Sequence, residues 1–142
     1  TMLVASAKAS GTDLKVESPD GPVSAAIDES QVLQVLTNLT LNAIQASPRG
    51  TEVRLRVTRP DPAHARVEVI DAGHGMSEHV KDHLFEPFFT TKQVGNGTGL
   101  GLAVSYGIVQ DHGGTIEASS VLGQGTTFSV LLPTGEATWQ VA

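Results

Sequence analysis

The sequence contains no cysteine, which excludes a disulfide framework and any thiolate metal site. A reducing compartment is compatible with this absence. Stability must therefore come from an apolar core, and 142 residues suffice for one domain with one such core. Hydrophobic residues make up 39% and charged residues only 17%, a balance that argues against disorder. We expect one domain over residues 1–142, with 1–11 as upstream linker or helix and 134–142 as a loosely ordered tail.

Basic residues are also scarce, since nine Lys and Arg stand against 15 Asp and Glu, for a net charge of −6. This deficit disfavours a basic nucleic-acid-binding surface. Long apolar runs are missing too. The longest stretch without a charged residue, 30–48, carries Gln, Asn and Thr throughout and is too polar to span a bilayer. We expect a cytoplasmic domain without direct nucleic-acid or membrane contact, and membrane anchoring of a longer protein stays open.

Glycine, in contrast, is concentrated in residues 95–101, where it occupies every second position. From Leu100 onward apolar residues recur at helical spacing, and the pair Gly113-Gly114 is typical of a left-handed helix C-cap. A loop without side chains that runs into a helix N-terminus is suited to binding phosphate, because its amides can converge on an anion. A flexible loop before a core helix is the alternative.

Residues 28–46 form the strongest predicted helix, with Asp28 as its N-cap and Ser47-Pro48 after its end. One face is apolar. The opposite face carries amides rather than the usual Lys and Glu, at three- and four-residue spacing. Asn is a mediocre helix former, so something other than bulk water is expected to face these amides, which are Gln34, Asn38, Asn42 and Gln45.

Alternating apolar residues predict strands on both sides of this helix. Ser77 is expected to cap a short helix that ends near His83, and a polar loop, 60–64, is expected to join the two middle strands. The predicted strands are 13–18, 23–27, 52–59, 65–70, 115–120 and 126–132.

Four separated segments resemble the boxes of sensor histidine kinase ATP-binding domains, in the superfamily named for gyrase, Hsp90, histidine kinase and MutL. NLTLNAI at 38–44 resembles the N box, DAGHGM at 71–76 the G1 box, FEPFF at 85–89 the F box and GTGLGL at 97–102 the G2 box. Their order and spacing agree with the family, and NAIQA and FFTTK are closest to its nitrogen-regulation-type branch. The resemblance implies an α+β fold, a two-layer sandwich of the Bergerat type. A mixed, mostly antiparallel sheet of about five strands would be covered on one face by three helices.

By this resemblance Asp71 accepts a hydrogen bond from the amino group of adenine. An ionised carboxylate only accepts, so it would oppose the carbonyl oxygen that guanine presents there, and ATP would be preferred. A turn cap is the alternative for Asp71. Gly73 and Gly75 would serve the base pocket through their lack of bulk. Thr126 is expected to reach the base through water, although β-propensity also explains a threonine there.

The resemblance makes Asn42 the Mg²⁺ ligand, since Mg²⁺ needs few protein oxygens beside phosphate and water. Asn38 would help to position phosphate or metal-bound water, or would be a satisfied amide between helix and lid. Gln45 stands where many relatives carry lysine. Lys92 is expected to supply the missing charge, with a plain surface lysine as the alternative. Backbone amides would enclose the phosphates along Gly97, Thr98, Gly99, Leu100, Gly101 and Leu102.

The implied function is to present Mg-ATP for γ-phosphoryl transfer to a histidine on a separate dimerisation domain, in a homodimeric protein with a response-regulator receiver as downstream partner. Four of the five histidines are expected to be solvated or capping residues rather than metal ligands: His74, His79, His83 and His112. The alternative is a superfamily ATPase or an anti-sigma-type protein-serine kinase. Those enzymes use a general-base glutamate one turn before the metal-binding asparagine, where this chain has Asn38, which cannot abstract a proton.

Overall fold

A computed structural model describes residues 11–17, 28–86 and 101–133 of the chain. The strand predicted at 23–27, the start of the chain and the tail after 133 lie outside these residues. The described elements, in chain order, are β1 (Asp13–Glu17), α1 (Glu29–Ala46), β2 (Glu52–Asp61), β3 (His64–Asp71), α2 (Glu78–His83), α3 (Gly101–Asp111), β4 (Thr115–Ser120) and β5 (Thr126–Pro133).

The five strands form one sheet in the order β1-β2-β3-β5-β4. β1 runs parallel to β2, and every other neighbouring pair is antiparallel. A parallel pair needs a long crossover, which here contains α1. On the outer face, Glu17 of the edge strand pairs with Arg54 and Arg56 of β2. The predicted fold class, a mixed and mostly antiparallel sheet with three helices, is confirmed.

One face of the sheet carries the core. Val53, Val69 and Val130 are almost fully buried there, because alternate residues of a strand point to the same face. They pack with Val35 and Leu39 of α1 in a single apolar cluster. Helix α1 lies against β2 and β3, while α3 lies against β4 and against α1. Among the described residues, no helix combines the length and hydropathy that a membrane span requires.

Helix α1 begins where its cap predicts. Asp28 is extended, and its side chain accepts a hydrogen bond from the amide of Gln31 at 3.2 Å. At the other end Ser47 is also extended, as expected of a residue that precedes proline. Its hydroxyl donates to the carbonyl of Ala43 at 2.7 Å and so satisfies one of the carbonyls left over at the helix end.

The prediction of a five-residue loop between β2 and β3 was wrong in extent. β2 continues to Asp61 and β3 starts at His64, so that only two residues form the turn. The carboxylate of Asp61 accepts from the amide of Ala63 at 2.8 Å and bonds the ring of His64 at 2.9 Å. This local turn, an Asx-type turn, brings the ends of both strands together and lets the pairing continue.

Helix α3 ends as predicted, in a left-handed Gly113 with φ 73°. The amides of Gly114 and Gly113 bond the carbonyls of Val109 and Gln110, which is the Schellman pattern. His112 then joins α3 to α1. Its Nδ1 lies 2.8 Å from a carbonyl, that of Ile108, so Nδ1 carries the hydrogen and Nε2 accepts from the amide of Asp28 at 2.9 Å.

Two leucines of α1 test the assignment of its buried face. Leu39 is fully buried and Leu33 is 60% exposed. We expect Leu39→Ala to lower the free energy of unfolding by about 2–5 kcal/mol, because it leaves a cavity in the core. The matched variant Leu33→Ala should change it by no more than about 0.5 kcal/mol. Urea unfolding of both variants measures this, and equal losses would contradict the assignment.

Candidate functional site

A row of three polar side chains closes the core-bearing face of the sheet. Asp71 on β3 is the cross-strand partner of Thr126 on β5, which in turn is the partner of Ser120 on β4. Directly opposed residues share a face, so these side chains are neighbours. The next row along the same face is Val69, Phe128 and Ala118, which belong to the core cluster or pack against it.

Asp71 is the acidic member of this row and is only 8% exposed. Its Oδ1 accepts a hydrogen bond from the amide of Gly73 at 2.8 Å. Burial raises the pKa of the Asp71 carboxyl above its ordinary value, while bonds from the amides of Gly73 and Thr126 and the nearby His74 oppose that shift. A carboxylate has about four lone-pair positions, so these bonds leave it able to accept from a ligand.

Gly73 brings the loop after β3 against the end of α1. A Cβ at this position would lie 2.5 Å from the carbonyl oxygen of Ala46 and 2.9 Å from Asp71 Oδ1. Any other residue would push the loop away from the helix and crowd the carboxylate. Gly73 is thus required by close packing against α1 and Asp71, whereas its predicted role in a base pocket stays a prediction.

Gly75 fits the same loop, residues 72–76, to the turn between β4 and β5. It has φ 71°, and a Cβ there would lie 2.2 Å from the carbonyl oxygen of Val121. The amide of Gly123 in the turn donates to the carbonyl of His74 at 2.6 Å. The loop and the turn are thus held together by backbone contacts.

The predicted strands 115–120 and 126–132 leave residues 121–125 as an ordinary hairpin turn, and on this reading sequence reasoning missed Gly125 and Ser120. Gly125 has φ 94°, and a Cβ there would lie 2.3 Å from the carbonyl oxygen of Asp71. The hydroxyl oxygen of Ser120 accepts from the amide of Met76 at 2.8 Å and also bonds the Gly125 carbonyl and the Thr126 hydroxyl. One signal was present in the sequence: in β4 the apolar face of Ile116 and Ala118 continues with a serine.

The amide face of α1 connects this row to the start of α3. Asn38 Nδ2 donates to the carbonyl of Gly101 at 3.3 Å and lies 3.4 Å from Ser105 Oγ. The backbone carbonyl of Ala46, at the C-terminal end of α1, adjoins Gly73. With a rise of about 1.5 Å per residue, the face spans roughly 12 Å between these contacts. Asn42 lies between them and is half-buried, and Gln45 is exposed.

The described part of helix α3 runs from Gly101, and residues 87–100 before it lie outside the described residues. The first amides of a helix have no acceptor within it and carry partial positive charge. Leu102 packs against the core cluster, so a ligand would meet its backbone rather than its side chain. Phe85 of the F box stacks on Tyr106 of α3, with ring centroids 5.2 Å apart. The other predicted site residues, Lys92, Gly97, Thr98, Gly99 and Leu100, lie outside the described residues.

Within the described residues, five strands form one sheet with three helices, and a buried acid lies beside an amide-bearing helix. This arrangement is that of a nucleotide-binding sandwich domain. The family profile described as histidine kinase-, DNA gyrase B- and HSP90-like ATPase matches residues 27–136. The chain belongs to this family, whose members bind ATP. Within it, the chain has the sequence and fold of the ATP-binding catalytic domains of sensor histidine kinases.

Curated relatives support this narrower placement. Sensor kinase CckA of Brucella abortus is 40% identical over 141 residues, which cover 87% of this chain and 15% of that protein. Sensor histidine kinase ZraS of Escherichia coli is 46% identical over 107 residues, which cover 75% of this chain and 22% of that protein. The chain thus spans less than a quarter of the length of these relatives.

Solved structures agree. The nucleotide-free catalytic domain of histidine kinase ThkA superposes with a TM-score of 0.81 at 29% identity, over 94% of this chain and 87% of that chain. Full-length ShkA in complex with AMPPNP superposes with a TM-score of 0.83 at 27% identity, over 94% of this chain and 28% of that chain.

Comparing two glycines of the β4–β5 turn tests whether the close approach of Gly125 to the Asp71 backbone requires a glycine. Both have positive φ, so alanine strains the backbone at either position by about 1–2 kcal/mol. A Cβ at Gly123 meets nothing within 4 Å, whereas one at Gly125 meets the Asp71 carbonyl. We expect Gly125→Ala to unfold at clearly lower urea concentration than Gly123→Ala. Equal midpoints for the two variants would show that the contact with Asp71 is unimportant.

The raised pKa of Asp71 predicts the sign of a pH effect. The stability contributed by this group is present below about pH 4, the pKa of a solvated aspartate, and is lost as pH rises through the folded-state pKa. Urea unfolding at a series of pH values should show the free energy of unfolding of the wild type, relative to Asp71→Asn, falling as pH rises.

Asp61 is the control for this measurement, because hydrogen bonding to His64 lowers its pKa. The stability it contributes is present above the unfolded pKa and lost as pH falls. Relative to Asp61→Asn, the wild type should therefore become more stable as pH rises. The same sign for both aspartates would contradict the assignment of Asp71.

Proposed function

We propose that residues 1–142 form one domain that binds Mg-ATP and presents the γ-phosphoryl group to a histidine of a separate dimerisation domain. The observation that carries this proposal is the buried Asp71, which is bonded by the Gly73 amide and adjoins the end of the amide-bearing helix. Phosphoryl transfer requires mainly positioning and charge neutralisation, and this chain has groups suited to both.

Asp71 would recognise the base. Its carboxylate accepts hydrogen bonds and cannot donate while ionised. The exocyclic amino group of adenine donates, whereas the corresponding oxygen of guanine accepts. Pairing two acceptors in a buried site costs about 1–3 kcal/mol. Gly73 and Gly75 would leave room for the base, and Thr126 would contact it directly or through water. ATP is therefore the expected nucleotide, and GTP is disfavoured.

Asn42 would hold Mg²⁺ through its side-chain oxygen. An amide oxygen is a hard donor of the kind that Mg²⁺ prefers, and one protein ligand suffices where phosphate and water complete the shell. Asn42 is half-buried on the amide face of α1, between the contact with Gly73 near Asp71 and the contact with Gly101 of α3. This position fits the role of a metal ligand. The ion would neutralise phosphate charge, which an acidic chain of net charge −6 needs.

The phosphates would lie at the start of α3. The backbone amides of the segment from Gly97 to Leu102 would bind them, and Lys92 would add positive charge in place of the lysine that many relatives carry at Gln45. Asn38 contacts the Gly101 carbonyl through its amide nitrogen. We propose that Asn38 holds the start of α3 in register with α1 and so helps to position the phosphates.

The partners follow from this role. The acceptor histidine would lie on the dimerisation domain of a longer, homodimeric protein, and a response-regulator receiver would take the phosphoryl group next. Sensor histidine kinases such as CckA and ZraS are the relatives that support these partners. By itself this chain would bind ATP without phosphorylating itself, because none of its histidines lies in an amphipathic helix before an acidic residue.

A superfamily ATPase or an anti-sigma-type protein-serine kinase remains the second candidate. Those enzymes need a general base one turn before the metal-binding asparagine. Asn38 occupies that position, and an amide has no suitable pKa for proton abstraction. Its nitrogen is also within hydrogen-bond distance of α3. The kinase domain is therefore favoured over the second candidate.

Calorimetric titration of the chain with ATP, ADP and GTP tests the proposed function. The wild type should bind ATP and ADP and prefer both to GTP. Asp71→Asn should weaken the binding of both adenine nucleotides by about tenfold or more, because it replaces one acceptor oxygen of the carboxylate with an NH₂ donor. Asn42→Ala should weaken ATP binding when Mg²⁺ is present and change it little when EDTA is present.

Two outcomes would count against this proposal. Equal affinity for GTP and ATP would defeat the assignment of Asp71. Steady ATP hydrolysis by the isolated chain would favour the second candidate. Gln34→Ala is the matched control, since Gln34 is an exposed amide of the same helix near its start. It should leave all three affinities unchanged.

A further inference from the structure

We infer that Ser120 is a positioning residue that makes Thr126 a hydrogen-bond acceptor and thereby selects a purine with a 6-amino group. The inference rests on the proposed function and deepens it, because it names a second determinant of base specificity beside Asp71. It depends on the row formed by Asp71, Thr126 and Ser120 across three strands.

The hydrogen bonds of Ser120 determine the direction of its hydroxyl. Oγ lies 2.9 Å from the carbonyl oxygen of Gly125, which can only accept, so Ser120 donates its one hydrogen to that oxygen. The amide of Met76 can only donate, and it donates to Ser120 Oγ at 2.8 Å. One lone pair of Oγ is then left.

That remaining lone pair determines the direction of the Thr126 hydroxyl. Thr126 Oγ1 lies 2.9 Å from Ser120 Oγ, whose hydrogen is already used. Thr126 must therefore donate to Ser120. The Ser120 hydroxyl then uses its one hydrogen and both of its lone pairs in hydrogen bonds. The oxygen of Thr126, with its hydrogen used, presents only lone pairs to any ligand beside Asp71.

Two acceptors side by side match one chemical group. Thr126 is buried and lies directly opposite Asp71, so the two side chains share one face of the sheet at the ends of their strands. A 6-amino group has two N–H donors, one for each acceptor. A 6-oxo group has none and would meet an acceptor at both positions. Without Ser120, the Thr126 hydroxyl would be released to turn and donate to a 6-oxo group.

The test compares ATP with inosine triphosphate, which carries a 6-oxo group in place of the 6-amino group. The readout is the ratio of the two affinities, measured by calorimetry on the whole chain. The wild type should prefer ATP. In Ser120→Ala we expect this preference to fall roughly three- to tenfold, the size of one hydrogen bond. Ser119→Ala, a change at the exposed neighbour on the other face, should leave the ratio unchanged.

A second variant separates positioning from a structural effect. Thr126→Val removes the hydroxyl that Ser120 orients and should lower the ratio by itself. Adding Ser120→Ala to Thr126→Val should then lower it no further, because Ser120 acts through Thr126. If Ser120→Ala does not fold, Thr126→Val keeps the inference open to refutation, because an unchanged ratio in that variant overturns it.

The outcomes distinguish this inference from the function on which it rests. A wild type that binds neither nucleotide overturns the proposed function. A wild type that prefers ATP, together with a folded Ser120→Ala variant that keeps the full preference, overturns only the role of Ser120. A lowered ratio in Ser120→Ala and in Thr126→Val, without additivity, supports it.

Discussion

Burial of one carboxylate is the constraint on which the rest of this site depends. Asp71 ends a central strand beside the core, where removing a charge from water is costly unless hydrogen bonds replace the lost solvation. Here backbone amides supply them, from Gly73 and from the neighbouring strand at Thr126. The amides can approach only because Gly73 and Gly125 have no side chain, so the acid and the nearby glycines form one unit.

Helix α1 serves the core and the site with opposite faces. Val35 and Leu39 bury one face against the sheet, and the amide face carries Asn38 and Asn42 past the loop after β3 toward α3. Packing of the apolar face thus positions the polar one. A rigid helix is a more precise support for such groups than a loop, because its side chains keep a constant spacing.

The scaffold is acidic overall, yet its proposed ligand is a polyanion. General electrostatic attraction cannot provide the affinity, so local groups must: helix-terminal amides, a divalent cation and few positive side chains. The proposed base site at Asp71 and Thr126 works differently, since it distinguishes purines by the direction of hydrogen bonds rather than by charge. Among the described residues Asn38 bridges the two helices, which suits a domain that positions a nucleotide for a separate acceptor.

The sequence alone determined the local elements and the motif residues. Apolar periodicity, helix caps and turn residues were sufficient to predict α1 with its Asp28 cap, the end of α3 at Gly113 and the hairpin strands. Each of these features depends on residues that are neighbours in the chain. Tertiary structure decided which distant groups meet. The row of Asp71, Thr126 and Ser120 depends on the register of β3, β5 and β4. The turn of 121–125 sets the register of β4 with β5, but no local pattern encodes the pairing of β5 with β3. The contact of Gly125 with Asp71 was therefore found only in the folded chain.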